Sequence, residues 1–177
     1  MPGLISSPFR FDFFHNSGDM KNALSYNDAR LKIERYCAYR DRCKLEVKLK
    51  LKSFGLNSEE ITGLIKELIE LDFLNEHRFV VSYVSGKFRI KNWGRHKIEQ
   101  KLREKSISNE LISLGLDTIE EEEYLNTLNK LIRSRWKDSF AEDYAAKARV
   151  ARFAYSKGFE TDLIWKVIDT CSVSGKE

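Results

Sequence analysis

The sequence predicts an all-α fold, arranged as an elongated tandem array of three three-helix repeats with about nine helices in helix-turn-helix-like units. After Pro8 no proline interrupts the chain, and the helix-favouring residues Glu, Lys, Leu and Arg are abundant. No alternating apolar run and no Asn-Gly or Asp-Gly turn indicates a β-hairpin. An internal repeat of about fifty residues predicts the tandem organisation.

The repeat is visible in segments that align without gaps over their central parts: 43–65, 94–116 and 146–168. A predicted helix end falls on Gly55, Ser106 and Gly158, at spacings of 51 and then 52 residues. Glycine is favoured at such an end because the residue after a helix often adopts a left-handed conformation. We therefore expect Ser106 to fit less comfortably than the two glycines. Polar residues suited to cap the following helix come next: Ser58, Asn109 and Thr161.

Each repeat is predicted to contain three helices, each marked by apolar residues at helical spacing. The first helices carry Ala29, Ile33 and Tyr36; Phe79, Tyr83 and Val84; and Leu125, Leu128 and Ile132. The second helices carry Val47 and Leu51; Ile98 and Leu102; and Val150 and Ala154. The third helices carry Ile61, Ile65 and Leu68; Ile112, Leu116 and Ile119; and Ile164 and Ile168. The predicted boundaries are a flexible N-terminal arm at 1–19, repeats at 20–74, 75–117 and 118–171, and a tail at 172–177.

The composition argues against several functional classes. The 177 residues contain no run of 18 apolar residues, so no membrane span is predicted, and the first twenty residues lack a signal-peptide core. Cys37, Cys43 and Cys171 are odd in number and not at metal-ligand spacing, which favours reduced thiols in the cytoplasm. The histidines are scattered and no glycine-rich phosphate loop is present. The sequence therefore predicts neither an enzyme nor a metal or cofactor site.

The most basic stretch is FRIKNWGRHKIEQKLREK, at 88–105, with seven Lys/Arg residues against two acids in a chain whose net charge is +4. It holds a stripe of lysines spaced four apart on one helix flank: Lys97, Lys101 and Lys105. The stretch is compatible with nucleic-acid binding, with docking on an acidic protein, and with an ordinary solvated helix face. Trp93 in its middle is either a packing residue beside Gly94 or a docking aromatic.

Lys44, Arg95 and Lys147 occupy one shared position at the start of the second helix of each repeat. A cation at a helix start opposes the helix dipole, so its recurrence favours contact with an external anion. The complete set of predicted partner-contacting or DNA-contacting cations is Lys44, Lys48, Arg89, Lys91, Arg95, Lys97, Lys101, Arg103, Lys105 and Lys147.

Two functional classes remain compatible with these residues. One is a helical-repeat nucleic-acid-binding protein that acts directly on DNA through basic helix faces. The other is an interaction protein that docks on a protein or protein–DNA assembly. Two observations favour the second class. The net charge of +4 is modest for a DNA-binding protein, and acids such as Glu46, Glu99 and Glu104 interrupt the basic faces.

Four blocks carry a family resemblance. The segment LDFLNEHRFVVSYV (71–84) resembles the signature of the RecX regulatory proteins, and RIKNWGRHKIEQKLREKSISNELI (89–112) resembles the stretch that follows it. The segments YCAYRDRCKLEVKLKLKSFG (36–55) and RFAYSKGFETDLIWKVI (152–168) are similar to the first and third repeats of that family. Ser106 replaces the usual glycine, His77 stands where an acid is common, and the leader 1–19 has no counterpart.

The resemblance implies a cytoplasmic, monomeric, non-enzymatic regulator of DNA recombination, DNA repair and the SOS response. Its expected partner is the RecA recombinase filament on single-stranded DNA, whose ATPase, strand-exchange and co-protease activities it would inhibit. Direct binding of single-stranded DNA is expected to be weak, and no membrane and no cofactor are implied. The alternative of direct action on DNA stays open from the residues alone.

Overall fold

The computed structural model describes residues 24–174, so the predicted arm at 1–19 lies outside the described residues. Within 24–174 every regular element is helical. The α-helices are α1 (Tyr26–Tyr39), α2 (Lys44–Ser53), α3 (Ser58–Glu70), α4 (Glu76–Ser85), α5 (Arg95–Arg103), α6 (Asn109–Leu116), α7 (Glu121–Arg133), α8 (Tyr144–Ser156) and α9 (Thr161–Ser174). A π-helical turn (Gly86–Ile90) extends α4, and a 3-10 turn (Asp138–Phe140) precedes α8. The predicted all-α tandem array is confirmed, and α9 continues three residues beyond the boundary that we placed at 171.

Helix ends show the predicted left-handed geometry. Gly55, Ser106 and Gly158 have φ of 85°, 60° and 92°, so the three repeats share one backbone conformation at this position. Ser106 adopts it with a side chain, at a steric cost that the two glycines avoid.

All three predicted helix caps are wrong by one residue, because Ser58, Asn109 and Thr161 are each the first residue of their helix. Asn57 caps α3 instead of Ser58, and its side-chain oxygen accepts from the amides of Glu59 and Glu60 at 2.9 and 3.0 Å. Ser108 caps α6 instead of Asn109. The reason is geometric, because a cap must precede the helix for its side chain to reach amides two or three residues further on.

The apolar side chains form two separate cores. Repeat 1 has its own core, which includes Ile33, Leu51 and Leu64. Repeats 2 and 3 share one continuous core. Among the described residues of repeat 1, Cys43 is buried in the shared core and Leu45 packs against it.

An aromatic ladder runs through the shared core. The ring centroids of Phe88 and Tyr124 lie 5.8 Å apart, and those of Tyr124 and Phe159 lie 5.0 Å apart. The predicted inward face of α7 began at Leu125, but the fully buried residue is Tyr124, and Leu125 is half-buried. Tyr124 therefore joins α7 to the π-helical turn after α4 and to the loop before α9 through two ring contacts.

The three cysteines are buried free thiols. Burial raises the pKa of the Cys37 thiol to about 11, so the thiolate that reacts with oxidants is scarce at neutral pH. The cysteines therefore act as small core residues.

Candidate interaction surface

The basic stretch 88–105 lies where repeats 2 and 3 meet, and we call this contact the second junction. The amide of Gly94 donates to the carbonyl of Lys157 at 2.9 Å, and the amide of His96 donates to the carbonyl of Gly158 at 3.1 Å. A Cβ built on Gly94 would collide with the backbone of Gly158. Two backbones thus touch directly, and the first amides of α5, which have no partner inside the helix, are satisfied by repeat 3.

Tyr124 completes the second junction. Its hydroxyl accepts from the amide of Arg95 at 3.0 Å and donates to Oε2 of Glu160 at 2.6 Å. Burial, together with the hydrogen bond to Glu160, raises the pKa of Tyr124 well above its usual range. The phenol therefore stays neutral and works as a fixed hydrogen-bonding link. Sequence reasoning missed this residue, whose only signal was a tyrosine directly after an acidic run.

Trp93 packs against the edge of the shared core, half-buried between two lysines. The ammonium groups of Lys87 and Lys97 each lie 5.0 Å from its ring centroid, within cation–π range. Lys97 also donates to the carbonyl of Ser156 at 2.8 Å, across the second junction. The packing interpretation of Trp93 therefore has a structural basis, while a docking role stays a prediction.

Repeats 1 and 2 meet through ion pairs, and we call this contact the first junction. Arg78 bonds Asp41 at 2.7 Å, Lys44 pairs with Glu76 at 2.9 Å, and Lys105 pairs with Glu46 at 2.6 Å. Burial alone would raise the pKa of Asp41, but hydrogen bonds from Arg78 and Ser82 outweigh it and lower that pKa. Repeat 1 is thus attached to repeat 2 by three ion pairs together with the apolar contacts of Cys43 and Leu45.

Most of the predicted contact cations have carboxylate partners inside the chain. These pairs are Lys44–Glu76, Arg89–Glu123, Arg95–Glu121, Lys101–Glu104, Arg103–Glu99 and Lys105–Glu46. Internal acids therefore account for Lys44 and Arg95, the first residues of α2 and α5. The third recurrent cation, Lys147, is the fourth residue of α8, so the predicted position at the helix start is wrong for repeat 3. In the described part of the chain, the predicted cations without an ion pair are Lys48, Lys91, Lys97 and Lys147.

Helix α8 carries positive charge that no acid of the described residues compensates. It carries Lys147, Arg149 and Arg152 and contains no acid. None of these three has an ion pair with another described residue. Arg149 and Arg152 were absent from the predicted contact set, because Lys147 was the one cation of repeat 3 that aligned with cations of the other two repeats.

No helix of the described residues is long and apolar enough to cross a membrane. No group of three His, Cys, Asp or Glu side chains in 24–174 is placed to hold a metal ion.

Comparison with known proteins identifies repeats 2 and 3. Residues 75–116 match the model of the second three-helix domain of RecX, and residues 121–168 match the model of the third. Together the two models cover just over half of the chain. The matched ranges are the two repeats that share one core.

Curated relatives named "Regulatory protein RecX" match over most of this chain. The protein from Lactobacillus johnsonii is 26% identical over 143 residues, which cover 80% of this chain and 53% of the relative. The protein from Acinetobacter baylyi is 28% identical over 125 residues, which cover 71% of this chain and 76% of the relative. The chain spans about half the length of several of the curated relatives that it matches.

A solved structure shows the same fold. The crystal structure of RecX from Lactobacillus salivarius superposes with a TM-score of 0.74 at 21% identity, covering 84% of this chain and 97% of that one. Two adjoining domain models match in the family's order, on repeats that the structure shows to be three-helix units with a common core. The chain therefore belongs to the RecX family of regulatory proteins.

Proposed function

We propose that this protein binds the RecA recombinase filament on single-stranded DNA and inhibits its ATPase, strand-exchange and co-protease activities. It would act in the cytoplasm as a regulator without catalytic activity of its own. The observation that carries the proposal is the pair of RecX domains at 75–116 and 121–168, joined backbone to backbone. The cations that keep no internal ion pair supply the surface for acidic side chains or phosphates of the filament.

Within the predicted set, the unpaired cations are the best candidates for filament contact. Lys48 and Lys91 are exposed, and Lys147, the fourth residue of α8, is half-buried. A paired cation such as Arg89 must give up part of its bond to Glu123 before it gains an external one. Breaking such an exposed pair costs about 0–1 kcal/mol, and this cost is subtracted from the energy of the new contact. A cation without an internal pair has no such cost and therefore adds more to binding.

The test compares two charge-reversed variants. One carries Lys48→Glu, Lys91→Glu and Lys147→Glu. The control carries Lys32→Glu and Arg35→Glu, two exposed cations of α1 that have no ion pair with another described residue and that we do not assign to the contact surface. RecA-dependent ATP hydrolysis on single-stranded DNA is measured against inhibitor concentration, and circular dichroism checks the helix content.

The first variant is expected to need at least about tenfold more protein for half-inhibition, because each lost charge contact is worth a fraction of a kcal/mol to a few kcal/mol. The control should inhibit as the parent does. Equal inhibition by all three proteins would refute the contact assignment. Absence of inhibition by the parent itself would refute the proposed function.

A second candidate function is direct action on DNA, favoured by the uncompensated cations of α8. Binding to bare single-stranded DNA and to RecA-coated DNA, measured over a salt series, distinguishes the two functions. Tight binding to bare DNA with a steep salt dependence would identify a DNA-binding protein, because phosphate contacts release counterions. Preference for the coated filament supports the RecA regulator.

A further inference from the structure

A continuous groove crosses the second junction and the outer face of repeat 3. It consists of two hollows that both include Tyr155 and Thr161 in their walls. The larger hollow, of about 540 Å³, is polar and reaches His96, Lys97 and Gln100 on α5. The smaller hollow, of about 210 Å³, lies between α8 and α9. We refer to the two parts as the polar hollow and the apolar hollow.

The apolar hollow has the shape of a side-chain pocket. Its walls are the small residues Ala148 and Ala151 on α8 and the larger Ile164 and Trp165 on α9. The ring of Trp165 lies nearly parallel to that of Tyr144, at 6.0 Å between centroids and 9° between planes. The hollow is thus open to a side chain in the absence of any ligand, with Tyr144 in contact with one of its walls.

The groove carries positive charge without a carboxylate in its walls. Arg152 borders the apolar hollow, and Lys97 borders the polar hollow. Lys97 uses one of its three N–H donors on the carbonyl of Ser156, which leaves donors for a ligand. By contrast, each of the two clefts at the first junction contains acids, among them Asp41, Glu46 and Glu76.

We propose that this groove binds a short acidic segment of another protein, with one aliphatic or aromatic side chain inserted into the apolar hollow. Carboxylates of the segment meet Arg152 on α8 and Lys97 on α5. A peptide side chain fits better than a nucleic-acid base, since two alanines and an isoleucine form much of the wall of this small hollow. The inference goes beyond the proposed function, because it requires neither RecA nor DNA.

The test is fluorescence anisotropy with short fluorescein-labelled peptides in which aspartates flank a single Phe, Leu or Ile. Matching peptides replace the apolar residue by Ser, or the aspartates by Asn. Because burial of one such side chain is worth about 1.5–3 kcal/mol, the Ser peptide is expected to bind about tenfold to a hundredfold more weakly. The Asn peptide is expected to lose the salt dependence of binding.

Protein variants come in matched pairs on α8. Ala148→Trp fills the apolar hollow, whereas Ala145→Trp places the same ring at an exposed position outside it. Arg152→Glu reverses the charge at the groove, whereas Arg149→Glu reverses it at an exposed position that does not border the groove. The first member of each pair should weaken peptide binding at least about tenfold, by loss of the buried side chain or of the charge contact, while the second should leave it unchanged. Circular dichroism verifies that all four fold.

Three results would overturn the proposal. The first is that none of the three peptides with Phe, Leu or Ile binds the parent protein. The second is equal weakening by both members of a pair. The third is that the protein binds a labelled single-stranded oligonucleotide but no peptide, and that Arg152→Glu abolishes this binding. That result would assign the groove to nucleic acid.

Discussion

Replacing Ser106 by glycine tests the claim that the three repeats share one left-handed helix end. Ser106 has φ of 60° and is exposed, and its side chain makes no hydrogen bond within the described residues. A left-handed conformation costs an L-residue roughly 1–2 kcal/mol. Glycine removes that cost but loses about 0.5–1 kcal/mol through the greater freedom of the unfolded chain. The net expectation is a gain of about 0.5–1 kcal/mol in the free energy of unfolding.

The measurement is urea unfolding followed by circular dichroism, supported by thermal melting. For a chain of this size 1 kcal/mol corresponds to about 2–4 °C, so Tm should rise by about 1–4 °C. The reverse changes serve as controls at the equivalent positions. Gly55→Ala should lower stability by about 1 kcal/mol. Gly158→Ala should cost more, because its new Cβ would also collide with Lys97.

An unchanged or lowered stability of Ser106→Gly would refute the reasoning. It would mean that the serine side chain contributes to the folded state as much as its backbone conformation costs. An equal cost for Gly55→Ala and Gly158→Ala would contradict the close approach at the second junction.

Two further predictions concern the first junction. Lys105→Met keeps the apolar stem but removes the charge facing Glu46, and since both side chains are about a quarter exposed (27% and 23%), it should cost about 1–2 kcal/mol in urea unfolding. Lys101→Met, which breaks a more exposed pair with Glu104 inside one helix, should cost under about 0.5 kcal/mol, and equal costs would contradict the junction role. The pKa of Asp41 is lowered in the folded protein. Its ionised carboxylate therefore stabilises the fold fully above the unfolded-state pKa of about 3.9, and this stabilisation is lost as the pH falls through the folded-state pKa. Asp41→Asn should therefore flatten the acid limb of a stability–pH curve below about pH 4, and an unchanged limb would exclude this carboxyl as its source.

The sequence predicted the helices well because their signals are local. Apolar spacing and the absence of proline after Pro8 depend on residues within a turn or two of one another. The shared helix end was predictable for the same reason, since Gly55, Ser106 and Gly158 recur at nearly constant spacing.

Whether a given cation is paired was not predictable where its partner is distant in the chain. Lys105 pairs with Glu46 across 59 positions, and Lys97 bonds Ser156 across another 59. A count of charges in 88–105 cannot reveal which of them are compensated. Tyr124 was missed for a related reason, because its four partners lie on other elements: Phe88, Arg95, Phe159 and Glu160.

The separation of the two cores divides the chain into units of unequal cooperativity. Repeats 2 and 3 share buried side chains, so neither can open without exposing apolar surface of the other. Repeat 1 keeps its own core and contributes only Cys43 and Leu45 to the shared one among its described residues, so it can unfold at the cost of those two contacts while the rest stays closed. Native-state hydrogen exchange should therefore show the amides of α1–α3 exchanging as one group, ahead of those of α5, α7 and α9. In such a molecule, a mutation in repeat 1 would lower protection locally, whereas one at Gly94 would lower it over two repeats at once.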